Sequence, residues 1–243
     1  MRSVLNIAHR GASADHPENT LAAFRAAIEA GADMCELDVH RTCDGIAVVI
    51  HDETLDRTTT GAGKVSDFTL EQIKLLYAPA NFRERFVGER VPTLEEVFGL
   101  THGRCGLNIE IKCGHVEDQV CSLIREYETH QTAIVSSFEW KTLENVLRID
   151  PAVRIGLLAE RHPKVLLKRA QEMNAYAINP RYDLATASLC AEAHRAGLRV
   201  FVWTVDDRTT MRSLVASGVD GIMTNQPARL ASVTMEHDGP NRA

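Results

Sequence analysis

No stretch of this sequence approaches the roughly 20 consecutive apolar residues that a membrane-spanning helix needs, and no basic run is present either. With 27 Lys and Arg against 33 Asp and Glu, and a net charge of -6, the chain lacks the basic face that a sequence-independent grip on nucleic acid requires. Its 6 cysteines include no CxxC pair, and a chain of this size needs no disulfides to hold a core. They are expected as thiols, mostly buried. A GxGxxG is missing after the first strand, which disfavours an open dinucleotide-binding sheet. Gly61-Ala62-Gly63-Lys64 is no phosphate loop, because Thr58 stands where that pattern needs a glycine. Only Val4 to Ala8 forms an apolar stretch before His9, too little for a secretory signal peptide. The expectation is a cytoplasmic protein acting on a small molecule, with no nucleic-acid partner and no membrane span.

What is present is alternation. Val4 to Ala8 reads as a buried strand ending at His9-Arg10-Gly11. Asn19 is the expected N-cap of a helix from Thr20 to Ala30, closed by Gly31. A second strand begins at Met34, and further strands are predicted over 107–112, 132–138, 154–159, 175–179, 200–205 and 221–224, with helical patterns between them. Strand, helix and glycine in this order, repeated along 243 residues, predict one α/β domain spanning 1–243, a (β/α)8 TIM barrel. One segment interrupts the pattern. About forty residues separate His51 from Pro92, far beyond an ordinary βα loop, and they predict a small insertion subdomain after the second strand, 53–91, over the barrel mouth. It carries the capping box Thr69 to Gln72 and a basic and aromatic patch, Phe82, Arg83, Arg85 and Phe86. A second capping box, Thr93 to Glu96, returns the chain to the barrel.

The stretch from Met34 to Asp52 concentrates the chemistry. Asp44-Gly45 is a strong hairpin signal. With those two residues as the loop, Cys43 pairs with Ile46, Arg41 with Val48 and Asp38 with His51. Glu36 and Asp38 then share one strand face beside His51.

Polar residues elsewhere fall at strand ends: His9 and Arg10, Glu110 and Lys112, and Trp203 to Asp206. A barrel gathers such ends at one face, where its active sites lie. Glu36, Asp38 and Glu110 in one water-poor pocket cannot all remain ionised without a counterion. A divalent cation resolves this, and an all-oxygen ligand set predicts Mg2+ or Ca2+. A salt-bridge network with Arg10, Lys112 or Arg41 is the weaker reading. His9 and His51 flank the site as an acid and base pair, with no basis for saying which is which, and Arg10 and Lys112 are placed to neutralise phosphate oxygens. The inventory fits phosphodiester cleavage. Trp203 is assigned to a wall of the substrate pocket, against a competing role in the core. The other histidines are read as structural or solvated, with His16 and His40 left open.

These motifs resemble the glycerophosphodiester phosphodiesterases. The resemblance runs through His9-Arg10-Gly11, Pro17-Glu18-Asn19-Thr20, Glu36-Leu37-Asp38, Asp44-Gly45 to His51-Asp52, Leu55 to Thr59, Pro92 to Glu96, Glu110-Ile111-Lys112, Trp203-Thr204-Val205 and Gly218 to Gly221. It implies a TIM barrel with an insertion after the second strand, a metal on the residues matching Glu36, Asp38 and Glu110, and acid and base histidines matching His9 and His51. It also implies hydrolysis to sn-glycerol 3-phosphate and an alcohol, and so a place in lipid and glycerol metabolism. Asn225 departs from the pattern, which usually has an acid there. The neighbouring hydroxyl of glycerol makes internal attack, through a cyclic phosphate, the expected first step. Two rivals stand beside this: a related phosphodiesterase or phospholyase acting on another phospholipid-derived substrate, and a metal-dependent enolising enzyme. A phosphate-sensing barrel without catalysis ranks last.

Overall fold

The computed structural model describes residues 4–78, 85, 86 and 88–238. The chain opens with β1 (Leu5–His9), α1 (Leu21–Glu29), β2 (Met34–Arg41) and β3 (Ala47–Val49). A 3-10 turn (Val65–Asp67), α2 (Leu70–Lys74) and α3 (Leu94–Thr101) come next. From there strand and helix alternate: β4 (Gly106–Ile111), α4 (Glu117–Glu126), β5 (Ala133–Ser137), α5 (Trp140–Ile149), β6 (Arg154–Ala159), α6 (Pro163–Glu172) and β7 (Ala177–Pro180). The last elements are α7 (Ala187–Arg195), β8 (Arg199–Val202), α8 (Arg208–Ser217), β9 (Gly221–Thr224) and α9 (Pro227–Asp238). All strands except β3 run parallel, and β1 pairs with both β2 and β9. The sheet therefore closes on itself, as the expected (β/α)8 barrel.

Strand alternation divides the side chains into two populations. Along β2, Cys35, Leu37 and Val39 join the large apolar layer between strands and helices, and along β4 Leu107, Ile109 and Ile111 do the same. The intervening residues point into the barrel. Its closed floor is apolar, built from Ile7, Met34, Ile134, Ala177, Phe201 and Met223. Toward the C-terminal ends of the strands the same inward positions become polar, which is where the chemistry collects. A separate apolar cluster of Val48, Ile50, Leu55, Val65, Ile73, Ala78 and Val91 lies between β3 and α3. Both capping boxes are formed, with Thr69 and Gln72 on α2, and Thr93 and Glu96 on α3. No helix among the described residues is long and apolar enough to cross a membrane.

Two local expectations are corrected. The hairpin register is displaced by one residue: Arg41 pairs with Ala47, His40 with Val48 and Val39 with Val49, so Asp38 faces Ile50, whose N–H donates to the Asp38 carbonyl at 3.0 Å. A two-residue type I′ loop needs positive φ at both central positions, and only Gly45 has it, at 89°. The chain instead makes a three-residue loop in which Gly45 N–H donates to the Thr42 carbonyl and Thr42 N–H to the Ile46 carbonyl. Asp44 is drawn into other work. It accepts from the Thr42 hydroxyl and from the backbone N–H of Leu70 at the start of α2. The second correction is the cap of α1: Thr20, not Asn19, accepts from Ala23 N–H at 3.2 Å. Asn19 sits at φ 57° and turns its amide into the barrel.

Of the cysteines, Cys35, Cys121 and Cys190 are buried, Cys105 and Cys113 half-buried and Cys43 exposed; all are free. Phe82 and Arg83 of the expected basic patch lie outside the described residues.

Candidate active site

Strand register builds the site. Parallel pairing sets His9 level with Glu36, Glu36 level with Asn108, and Asp38 level with Glu110, all on inward positions near the open ends of β1, β2 and β4. Carboxylate oxygens of Glu36, Asp38 and Glu110 lie within 4.8 Å of one another, and all three residues are buried. Burial is the largest influence on their ionisation. It raises Glu36 well above the ordinary carboxyl range, reinforced by the charges of Asp38 and Glu110. Burial and then Asp38 push Glu110 up to about 7. Asp38 goes the other way, because Arg10 and Lys112, and then His51 and the Asn19 amide, outweigh its desolvation and hold it below its usual value.

The cations are close but do not satisfy the cluster. Lys112 Nζ is 2.8 Å from Glu110 Oε1 and 3.5 Å from Asp38 Oδ1. Arg10 Nε is 3.2 Å from Asp38 Oδ2. Asp38 Oδ1 is nevertheless buried without a hydrogen-bond partner among the described residues. Three convergent carboxyls, two of them reluctant to ionise, and an orphaned buried oxygen suit a hard divalent cation. The residues present fit the metal that the sequence implies.

A cavity of about 240 Å³ opens above them, lined by His9, Arg10, Glu36, His51, Glu110 and Lys112, with Phe138 and Trp203 among its walls. His51 belongs to it in spite of the register correction, since β3 ends at Val49 and the chain bends at His51. Trp203 lies just past β8, which ends at Val202. Its indole N–H donates to the Asn179 carbonyl at 2.8 Å, and it meets the Phe138 ring edge-on. The structure thus brings His9, Arg10, Glu36, His51, Glu110, Lys112 and Trp203 around one cavity, with Asp38 beneath its lining, whereas Arg41, the other counterion considered, is not among the residues that line it.

The two imidazoles differ. His51 Nδ1 is 2.7 Å from Asp52 Oδ1, and His40 Nε2 donates to the His51 carbonyl at 3.0 Å. His9 Nδ1 faces the neutral amide oxygen of Asn225 at 2.8 Å. Burial, then the adjacent Arg10, lowers His9 to about 4, with the Asn225 hydrogen bond acting in the opposite direction.

Supporting residues escaped the sequence reading. Asn19 Nδ2 donates to Asp38 Oδ2 at 2.9 Å. Arg57 forks onto both oxygens of Glu18 at 2.7 Å and reaches Asp52 Oδ2 at 2.7 Å. Glu18 accepts in turn from Arg10 Nη1 at 3.0 Å. All lie inside motifs that carry the family resemblance, which was the available signal; their partners are remote in sequence and could not be paired from it.

A closed (β/α)8 barrel whose open face combines an acid cluster, two cations and two imidazoles defines a barrel enzyme of the phosphodiester-cleaving class. Residues 9–229 match the model of the glycerophosphoryl diester phosphodiesterase family. A glycerophosphodiester phosphodiesterase of Caldanaerobacter subterraneus is 46% identical over 235 residues, covering 94% of this chain and 97% of its own. One from Bacillus subtilis is 33% identical, covering 92% and 84%. Among solved structures, a glycerophosphodiester phosphodiesterase of Agrobacterium tumefaciens superposes with a TM-score of 0.85 at 32% identity, covering 96% and 100% of the two chains. A phosphodiesterase of Oleispira antarctica, in complex with the product sn-glycerol-3-phosphate, gives 0.85 at 28% identity, covering 93% and 95%. The chain belongs to the glycerophosphoryl diester phosphodiesterase family.

Proposed function

We propose that the protein hydrolyses glycerophosphodiesters to sn-glycerol 3-phosphate and an alcohol, using the cluster of Glu36, Asp38 and Glu110 to hold a divalent metal. The single observation that carries this is the convergence of those three buried carboxyls, within 4.8 Å of one another, beneath a cavity walled by His9, His51, Arg10 and Lys112. The oxygen-only ligand set favours Mg2+ or Ca2+. Such a metal lowers the pKa of an oxygen nucleophile and offsets charge on phosphate.

The chain's own residues supply the rest. Arg10 and Lys112 take the charge of the phosphate oxygens, Arg10 through its planar fork. Phe138 and Trp203 supply the apolar wall against which a glycerol backbone rests. The glycerol hydroxyl adjacent to the phosphoester attacks phosphorus; held there, its effective concentration exceeds anything bulk water offers. An O–P bond forms, and the P–O bond to the alcohol breaks. His9 Nε2, on the cavity side of the ring, accepts the hydroxyl proton. His51, whose Nδ1 is backed by the Asp52 carboxylate, gives its Nε2 proton to the departing alcohol. Water then opens the cyclic phosphate, with the two imidazoles exchanging roles.

Residues 53–91 are proposed to form the subdomain over this mouth. Arg57 is its supporting contact, since it grips Glu18 and Asp52 together. The free cysteines suit a cytoplasmic setting.

The test is a coupled assay for released sn-glycerol 3-phosphate over a panel of headgroups, with Mg2+, with Ca2+ and with chelator. Release with metal and none in chelator is expected. Full turnover in excess chelator, or no release from any headgroup, overturns the reading. A substrate whose neighbouring hydroxyl is replaced by hydrogen should be inert; equal turnover would make water the nucleophile.

A further inference from the structure

Behind His9, on the side away from the cavity, lie two layers of hydrogen bonds that the proposed reaction does not use. Nδ1 of the ring is 2.8 Å from Asn225 Oδ1. The Asn225 amide is itself pinned at its other edge: Nδ2 donates to Asp206 Oδ2 at 2.7 Å, and the Asn225 backbone N–H donates to Asp206 Oδ1 at 2.8 Å. Asp206 is anchored in turn by the Thr224 hydroxyl at 3.0 Å and, through its carbonyl, by Arg229 at 2.6 Å.

Donor and acceptor logic runs one way through this chain. An ionised carboxylate only accepts, so the amide edge against Asp206 is the NH2 edge. The edge against His9 is then the carbonyl. Reversing the amide would set oxygen against oxygen at 2.7 Å; Ser13 Oγ, 2.7 Å from both Oδ1 and the His9 carbonyl, has one proton to give and suits either orientation, so the Asp206 contact decides. An amide oxygen cannot donate, so the proton between Oδ1 and Nδ1 belongs to the imidazole. A neutral imidazole protonated at Nδ1 carries its lone pair on Nε2. That is the nitrogen on the Glu36 side, 3.9 Å from Oε2.

We infer that Asp206 and Asn225 are positioning residues that lock His9 in its Nδ1–H tautomer, so that Nε2 meets the substrate as a bare acceptor. The inference rests on the proposed role of His9 as base. Its logic resembles that of a catalytic triad, where a group behind the imidazole selects the tautomer, but here the orienting carboxylate acts at one remove through a neutral amide. An amide at 225 accepts from Nδ1 without adding a second negative charge beside Asp206.

The test reads the tautomer directly, by long-range 1H–15N correlation on the full chain labelled at histidine nitrogens, with Mg2+ present, and with His9→Asn to identify the signal. The wild type is expected to show a protonated Nδ1 and a bare Nε2 at His9. Asp206→Asn keeps the shape but can donate as well as accept, which frees the Asn225 amide to turn. It should give Nε2–H or a mixture, with kcat reduced roughly 10- to 100-fold, less than the roughly 100- to 10,000-fold that a general base contributes in full, because part of the His9 population keeps its bare Nε2, and KM changed less than about twofold. Asn225→Ala should also release the tautomer. A wild-type His9 found as Nε2–H overturns the inference, as does an Asp206→Asn protein with unaltered tautomer and kcat. Because nitrogen shifts do not depend on turnover, a wild type locked at Nδ1–H that releases no sn-glycerol 3-phosphate would sink the proposed reaction while leaving the lock standing.

Discussion

Arg10 occupies φ 57°, a conformation that costs a side-chain-bearing residue about 1 kcal/mol or more and persists only where surroundings enforce it. The surroundings are the site. Its backbone N–H donates to both the carboxylate and the carbonyl of Glu36, at 3.1 and 2.9 Å, while its guanidinium bridges Asp38 and Glu18. Arg10→Lys keeps the charge and loses the fork, so kcat/KM should fall on the order of 10- to 100-fold with little change in melting temperature. An unaltered rate would assign Arg10 to the fold alone. Glu110 carries a different prediction. Pushed up to about 7, it must give up a proton to bind a cation, so Mg2+ affinity should weaken as pH falls below about 7, and titration calorimetry should register proton release. Glu110→Gln, with one charged ligand gone, should bind Mg2+ more weakly and with less pH dependence.

The loop from β1 to α1 shows the same economy at the level of elements. Gly11 stands at φ 82°, and a Cβ there would lie 2.7 Å from the backbone carbon of Ala23 in α1. The helix can approach the strand this closely only above a residue without a side chain. Gly11→Ala should therefore cost about 1 to 3 kcal/mol, a fall of several degrees in melting temperature, and should lower kcat because His9 and Arg10 ride on the displaced loop. Wild-type melting and turnover in that variant would show the contact to be compliant. Trp203 sits between two elements, half-buried beyond the end of β8 and edge-on to Phe138 after β5. Trp203→Ala should raise KM about tenfold while costing less than the roughly 3 to 5 kcal/mol of a core aromatic deletion. A full core-sized loss with unchanged KM would return the ring to packing.

At the scale of the whole molecule, the acid cluster opposes folding when no metal is bound. Glu110 binds its proton more tightly in the folded than in the unfolded chain, so the stabilisation it contributes is present below about pH 4.5 and is lost as pH rises through about 7. Burial and Arg10 set His9 in the opposite direction, toward about 4, so the two partly cancel between pH 4.5 and 6.5. The comparison that isolates the carboxyl is wild type against Glu110→Gln in chelator between pH 6 and 8. The wild type should lose melting temperature relative to the variant as pH rises, and Mg2+ should restore it most at pH 8. Parallel curves would place the proton elsewhere.

Much of this was legible in the amino-acid order. Strand periodicity with helices and glycines between implies a closed barrel, and the rule that barrel strands end at one face gathers Glu36, Asp38, Glu110, His9, Arg10 and Lys112; His51 was placed there through a hairpin register that is displaced by one residue, and it reaches the cavity because the chain bends beyond β3. Both inferences rest on local spacing, which a chain carries along its length. Three things were decided only in three dimensions. The hairpin register depended on whether Asp44 spends its side chain on a tight turn or on the N-terminus of α2, twenty-six residues away. Asn19 stands where an N-cap belongs, but Asp38 claims its amide and Thr20 takes the cap. The difference between the two histidines comes from Asp52 behind one and, behind the other, from Asn225, 216 residues further along. Periodicity reports which face a side chain occupies; which remote partner fills its hydrogen bonds is settled by barrel closure, which brings β9 against β1 and so decides where the proton on His9 resides.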